Sequence, residues 1–482
     1  MASPRESGKG ILNMDNVNQN VTEVEYAVRG PIVIRAQEIE EELARGVKMP
    51  FDRVIKSNIG DCQAMGQAPI TFIRQIIAGC SYPKLLEQNV FPADVVSRCR
   101  EILASVRGSI GCYSQSVGLP LVRKHVAEFI EKRDGYPCSA NNLILTNGAS
   151  SSVKLILELF ISKEEKSGAL IPIPQYPLYS ATLSEFGMHQ VGYYMNEEND
   201  WSLDVNELKR ALEEGRKHCT PRVLCIINPG NPTGQVLTYN NVKQVIQFCK
   251  DEQLFLMADE VYQENIYREG SQFHSFKKVL HDMKAEEGFQ MASFHSTSKG
   301  FVGECGLRGG YVEVLGLDDQ VHYQLNKLQS AQLGSNVVGQ LVMDCIVKPP
   351  HQDGPSHSLY FQEKDGVLNS LRERARLVYK RLNEIEGISC REVAGAMYAF
   401  PRIFLPRRAI DKATELNQAP DFFYCWSLLE DTGICVIPGS GFKQKDGTYH
   451  FRMTILPPMD DLVVFLDKLS DFHAKFLKKY AD

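Results

Sequence analysis

Between residues 142 and 296, five short apolar runs alternate with longer stretches of helical character: "NLILT" at 142–146, "ALIPIP" at 169–174, "VLCIIN" at 223–228, "LFLMADE" at 254–260 and "MASFHS" at 291–296. Alternation of this kind predicts a mainly parallel α/β sheet. Between the third and fourth runs, "NNVKQVIQFCKDE" sets Val242, Val245, Ile246 and Cys249 at helical spacing, which predicts a crossover helix. The proline-rich break "VKPPHQDGPSHS" at 347–358 marks the exit from this unit. Beyond it, Leu368, Leu371, Ala375, Val378 and Leu382 recur at three- and four-residue spacing up to a stop at Gly387, the pattern of a long amphipathic helix. "YHFRMTIL" alternates polar His450, Arg452 and Thr454 with apolar Phe451, Met453 and Ile455; as a strand it turns Arg452 away from the core.

A chain of 482 residues is long enough for two or three domains. Its net charge of −6 gives no basis for a nucleic-acid surface, and the basic pairs Lys277-Lys278 and Arg407-Arg408 are isolated enough to read as solvated faces. No apolar run reaches the length of a bilayer span. The start, "MASPRESGKG", lacks an apolar or Arg/Ser-rich amphipathic targeting pattern, and the first twenty or so residues read as a polar arm. Thirteen cysteines are scattered without a C-x-x-C pair. That usage points to a reduced, cytoplasmic protein without a zinc site; a mitochondrial-matrix chain whose transit peptide has been removed is the other compartment it allows.

In an open α/β sheet the ligand lies off the carboxyl ends of the strands. Here those ends are "NGAS", "QYPLY", "NPGNPTG", "DEVY" and "STSK". Singly each is an ordinary turn, cap or packed tyrosine; five polar ends at one edge of a sheet point to a binding site. "NPGNPTG", "DEVY" and "STSK" followed by Arg308 occur in the order and spacing of the aspartate-aminotransferase-like, fold-type I enzymes that use pyridoxal 5′-phosphate, and the chain resembles that family from about residue 20 onward. "EYAVRGPIV", "PIPQYPLYSATL", "ADEVYQENIY" and "FRMTILPP" are similar to the alanine aminotransferase subfamily within it. Arg308 stands nine positions after Lys299, one more than is usual in the wider family, so the loop "GFVGECGL" is expected to bulge.

The resemblance implies an N-terminal arm (1–25), a large domain with a mainly parallel seven-stranded sheet (86–350), and a smaller α+β domain from 26–85 and 351–482. It implies that Lys299 holds the cofactor covalently through its amine and then acts as general base, its pKa depressed by burial and nearby positive charge. Asp259 is expected at the pyridine nitrogen, Tyr262 and Asn231 at the 3′-oxygen, and Tyr176 on the ring face. Arg308, Ser296 and the helix start at Ala149 and Ser150 are expected at the phosphate. Tyr113 matches a tyrosine that reaches the phosphate from a neighbouring subunit, which implies a homodimer. Gly60 and Arg452 match the residues around a substrate α-carboxylate, and Arg29 is a candidate for a distal carboxylate. The implied activity is amino-group exchange between alanine and 2-oxoglutarate, giving pyruvate and glutamate. A lyase or decarboxylase on the same fold, or a cofactor-binding regulator without turnover, would use the same residues.

Overall fold

A computed structural model describes residues 11–26 and 30–481. Seven strands form the central sheet: β1 (Leu143–Thr146), β2 (Ser167–Ile173), β3 (His189–Tyr194), β4 (Thr220–Ile227), β5 (Phe255–Asp259), β6 (Met291–Ser296) and β7 (Gly310–Leu315). Their order across the sheet is β1-β7-β6-β5-β4-β2-β3. All neighbours pair in parallel except β7, which runs antiparallel to β1 and β6. The carboxyl ends of the other six strands therefore share one edge, and β7 begins there.

Successive residues of a strand point to opposite faces, so a continuous apolar run feeds two cores. In β4, Leu224 and Ile226 join a cluster with Val242, Val245 and Ile246 of helix α2 (Tyr239–Glu252). Val223, Cys225 and Ile227 join the opposite cluster, with Val153, Ile156 and Leu157 of α1 (Ala149–Glu158). The five strands and the crossover helix expected from the sequence are thus present. The edge strand β3 and the antiparallel β7, which the apolar runs do not locate, complete the seven that the resemblance implies.

A third core joins distant parts of the chain. Ile32, Ile39 and Ile55 pack with Leu371, Val378 and Leu382 of α3 (His357–Asn383), with Phe451 and Met453 of β8 (Phe451–Thr454), and with Leu462, Phe465 and Leu469 of α4 (Met459–Lys479). Helix α3 is the helix foreseen after the proline-rich break, and it begins within the last two residues of that break, at His357. Strand β8 differs from expectation in one respect: all four of its residues are buried, because the face carrying Arg452 closes over a pocket. Among the described residues, no helix is long and apolar enough to cross a membrane.

The pair Lys277-Lys278 is not a solvated face. Lys277 is buried, its Nζ 2.6 Å from Oε1 of Glu313 on β7, with each side chain only 1% exposed. A charge that the sequence presents as surface is the counter-ion of a carboxylate inside the sheet. Removing one partner leaves the other buried and unpaired, which costs about 3–5 kcal/mol. Lys277→Ala is expected to lower the urea midpoint of the protein by a free-energy change of that order, while Lys278→Ala, beside it, leaves the midpoint nearly unchanged.

Candidate active site

A cavity of about 410 Å³ opens at the carboxyl edge of the sheet, between the sheet and the third core. Strand order explains its contents. The end of β5 supplies Asp259, the end of β6 supplies Ser296 and then Lys299, and the turn after β4 supplies Asn231. Helix α1 begins at Ala149, directly after β1, and the segment after β2 brings Tyr176; all of these residues line the cavity. The third core contributes Gly60, Tyr398 and Arg452 from the other side.

Asp259 is the buried anion of this cavity. Tyr179 donates its hydroxyl to Oδ2 at 2.9 Å, and the backbone N–H of Val261 donates to Oδ1 at 3.4 Å. No cation pairs with it among the described residues. Burial pushes its carboxyl up to about 6, against the hydrogen bonds from Tyr179 and Val261 and the attraction of Lys299. A buried carboxylate held by neutral donors is complementary to a ligand that brings its own positive charge.

Arg452 presents the reverse case. Its guanidinium is 1% exposed and lies between the rings of Tyr398 and Phe442, at 4.4 and 4.7 Å from their centroids. Nη2 donates to the Asn58 carbonyl at 2.6 Å, Nη1 donates to Asn231 Oδ1 at 3.2 Å, and Nε is buried without an acceptor. A planar fork with no carboxylate partner suits a carboxylate ligand.

The third charged group is exposed at the rim. Arg308 donates to the Asn147 and Cys305 carbonyls and to the hydroxyls of Ser150 and Ser298 at 3.0–3.4 Å. It faces the N-terminus of α1, whose first backbone N–H groups have no partner within the helix. Gly148, immediately before α1, has φ 83°, and a Cβ there would run into the Arg308 guanidinium. Ser296 completes this cup, its hydroxyl accepting from the Ser298 N–H at 3.1 Å. Cation, hydroxyls and helix dipole together describe an anion site of phosphate type.

Lys299 lies between these groups. Its Nζ donates to the Gly60 carbonyl at 2.9 Å and sits 5.8 Å from the Tyr262 ring centroid. A side chain at Gly60 would collide with both the Tyr398 hydroxyl and the lysine amine. The expectation of a depressed Lys299 pKa is not met. Burial alone would lower it and Arg452 pulls the same way, but the facing phenol of Tyr398 and the thiols of Cys305 and Cys62 outweigh them, and the net direction is upward. Tyr398 shows the other half of the same pair: burial pushes it up, yet Lys299 and Arg452 bring it below the ordinary phenol value.

Tyr262 donates to the Tyr398 hydroxyl at 3.3 Å, and the hydroxyls of Tyr176 and Tyr26 lie 3.2 Å apart. Tyr113 is not brought into this cavity by its own chain; it lies 83% exposed on the loop before the helix Pro120–Asp134. Arg29 lies outside the described residues. Tyr179, Tyr398 and Asn58 act at the site without having been singled out in the sequence. "PLYSATL" and "GAMY" contain the two tyrosines, but only the fold shows that one meets Asp259 and the other Lys299.

Residues 81–469 match the family described as "Aminotransferase class I and II". The chain belongs to that family. It is 56% identical to "Alanine aminotransferase 2-like" of Danio rerio over 100% of this chain and 88% of that protein. It is 55% identical to "Alanine aminotransferase 1" of Homo sapiens over 98% of this chain and 96% of that one. Among solved structures, "Alanine aminotransferase from Pyrococcus furiosus" superposes with a TM-score of 0.74 at 23% identity, covering 95% of this chain and 99% of that one, which shows the shared fold.

The Asp259 environment has a stability consequence whose sign is fixed. A carboxyl raised from an ordinary 3.8 to about 6 binds its proton more tightly in the folded protein. The folded state is therefore penalised as pH rises from about 4 through 6, by on the order of 3 kcal/mol once ionisation is complete. Asp259→Asn is expected to raise the Tm of the cofactor-free protein at pH 8 and to leave it little changed at pH 4. Thermal melts at the two pH values check this, and equal shifts at both would contradict it.

Proposed function

We propose that this chain is an alanine aminotransferase, exchanging the amino group between L-alanine and 2-oxoglutarate with pyridoxal 5′-phosphate as cofactor. The observation that carries the reading is the placement of an unpaired buried carboxylate, an unpaired buried guanidinium and a phosphate-type cup around one lysine amine. The curated relatives' names support alanine as substrate. When bound, the cofactor supplies an aldehyde that takes the substrate amine covalently and a ring that accepts the electrons freed at the substrate Cα.

The residues present fit that group. Asp259 would hold the ring nitrogen in its protonated form, which relieves the carboxylate of its uncompensated burial. Arg308, Ser150, Ser296 and the N–H groups at the start of α1 would hold the phosphate. Tyr262 and Asn231 would donate to the ring oxygen, Asn231 through the amide nitrogen that its bond to Arg452 leaves free, and Tyr176 would cover one ring face. Arg452 would clamp the substrate α-carboxylate with its guanidinium, beside the backbone of Gly60.

Lys299 then has two tasks. Its amine would hold the cofactor covalently until substrate displaces it, and would afterwards take the proton from the substrate Cα. Both tasks require the neutral amine. The Tyr398 hydroxyl and the Gly60 carbonyl, which favour the ammonium form, must therefore yield it when the cofactor is bound.

The same reading makes residues 26–85 and 351–482 the small domain, around the third core, and 86–350 the large one. It makes the enzyme a cytoplasmic homodimer, in which the exposed ring of Tyr113 would reach the partner's phosphate cup.

Mixing the cofactor-loaded protein with alanine alone is expected to release one equivalent of pyruvate per site, with no acceptor present and no ammonia or CO2 formed. Release of either gas or of no product would remove the transaminase reading. Lys299→Ala is expected to abolish that release while the protein still retains the cofactor noncovalently on equilibrium dialysis. Arg452→Lys keeps the charge but loses the planar fork. Loss of one charge-assisted hydrogen bond, on the order of 1.5–3 kcal/mol, predicts a roughly ten- to hundredfold fall in kcat/KM. Alanine and glutamate share the α-carboxylate, so both are expected to suffer alike; a fall confined to glutamate would place Arg452 at the distal carboxylate instead.

A further inference from the structure

Two demands fall on one proton in the active-site cavity. Tyr262 donates its phenolic hydrogen to the Tyr398 hydroxyl at 3.3 Å. The proposed reaction needs that hydrogen at the cofactor's ring oxygen, and a phenol has only one to give. Lys299 poses the complementary problem, because its amine must become neutral and some neighbour must take the proton.

Among the described residues, the titratable groups around Lys299 are Tyr398, Tyr262, Cys305, Cys62, Arg452 and Asp259. Arg452 is a cation, and Asp259 already accepts from Tyr179 and Val261. Cys305 is turned to the Ser298 carbonyl at 3.3 Å and Cys62 to Met397 Sδ at 3.8 Å; burial pushes both thiols up, Cys62 to about 12. Burial likewise holds the phenols of Tyr262 and Tyr176 well above the ordinary value. The Gly60 carbonyl accepts a hydrogen bond from the amine but holds no proton.

Tyr398 is different in kind. A Cβ at Gly60 would meet both its hydroxyl and the Lys299 amine, so the two flank one point. The Arg452 guanidinium lies 4.4 Å from its ring centroid. Burial alone would push this phenol up as well, but the two cations bring it below its ordinary value. Its position is fixed by pairing in register with Thr454 of β8, whereas Tyr262 stands just past the end of β5. The bond between the two phenols thus links the two walls of the cavity.

We infer that Tyr398 is a proton relay between Lys299 and Tyr262, and so a positioning residue for the reaction. The inference rests on the aminotransferase reading, which sets the ring oxygen as the place where Tyr262 donates. With Lys299 an ammonium, Tyr398 is a phenolate that accepts from Tyr262. When the amine becomes neutral, one N–H bond breaks and one O–H bond forms at Tyr398 Oη. Tyr398 then donates to the Tyr262 oxygen, and Tyr262 turns its own hydrogen to the ring oxygen. The proton stays in the cavity, and the state of the amine sets the direction in which Tyr262 donates.

Tyrosine isotopically labelled at Cζ reports phenolate by NMR. In the cofactor-free protein one tyrosine is expected to ionise below the ordinary phenol value of about 10. Tyr398→Phe, which keeps the ring against Arg452, is expected to remove that resonance, and Lys299→Ala to move its titration upward, since burial then meets only one cation. Loading with pyridoxal 5′-phosphate at a pH where the phenolate has formed is expected to return it to the phenol. The rate of covalent cofactor attachment, followed by absorbance, is expected to rise over the same pH range in wild type. In Tyr398→Phe it is expected to rise over a lower range, because burial and Arg452 then act on the amine with less opposition. None of these readouts depends on which amino acid is converted, so a failure to release pyruvate from alanine would strike the proposed reaction while the phenolate signals remained. No tyrosine ionising below the ordinary value, a phenolate that persists after loading, or attachment profiles identical in wild type and Tyr398→Phe would overturn the relay.

Discussion

The ionised carboxylate of Asp259 is the constraint around which the site is arranged. It ends a central strand in an environment that raises its pKa, and the chain answers it with a phenol and a backbone N–H rather than with a cation. Folding thus leaves an electrostatic demand unmet inside the molecule. Arg452 leaves the opposite demand unmet on the facing wall. Paired directly, the two would have made a closed and inert salt bridge. Kept apart, with Lys299 between their walls, they impose a polarity on whatever enters: positive end toward the sheet, negative end toward β8. Orientation precedes chemistry here, and most of the barrier lowering available to a positioned reactant depends on it.

The walls belong to different cores, and many polar contacts join them, among them Tyr262 with Tyr398, Tyr267 with the Ala396 carbonyl and His450 with Glu197. Lys299, from the sheet, reaches the Gly60 carbonyl. Arg452, from β8, reaches Asn231 of the turn after β4 as well as Asn58. These two crossings use groups that the proposed reaction also needs. Covalent attachment of Lys299 to the cofactor would exchange its contact with the Gly60 carbonyl for one with the ligand, so the placement of the two halves is coupled to occupancy through that hydrogen bond.

Much of this was legible in the sequence where local chemistry is self-sufficient. Apolar runs buried on both faces announced β1, β2, β4, β5 and β6, and their polar ends supplied Asp259, Ser296, Lys299 and Asn231. Strand β3 escaped because it lies at the edge, and "HQVGYY" is half polar, with only two of its residues fully buried. Strand β7 escaped because Glu313 interrupts its apolar run; the lysine that neutralises it is 36 positions away and sits beside a second lysine that is only half-buried. Tyr179 and Tyr398 escaped for the same reason. A phenol that steadies a carboxylate and a phenol that faces an amine look like any packed tyrosine until the fold supplies the partner.

The antiparallel β7 has a consequence for how the chain tolerates change. Ser296 and Gly310 are paired residues at the same edge of the sheet, so residues 297–309 form an excursion that leaves and re-enters the fold at one place. Lys299 and Arg308 both ride on it. Had β7 run parallel, a residue inserted between them would have had to be absorbed by a crossover on the far side of the sheet. As built, the loop accommodates an additional residue through local backbone, including the left-handed conformations of Gly300, Gly303 and Arg308, while the pairing of both strands stays in register. The nine-position spacing thus lies wholly within a hairpin, where a change of length leaves the sheet untouched.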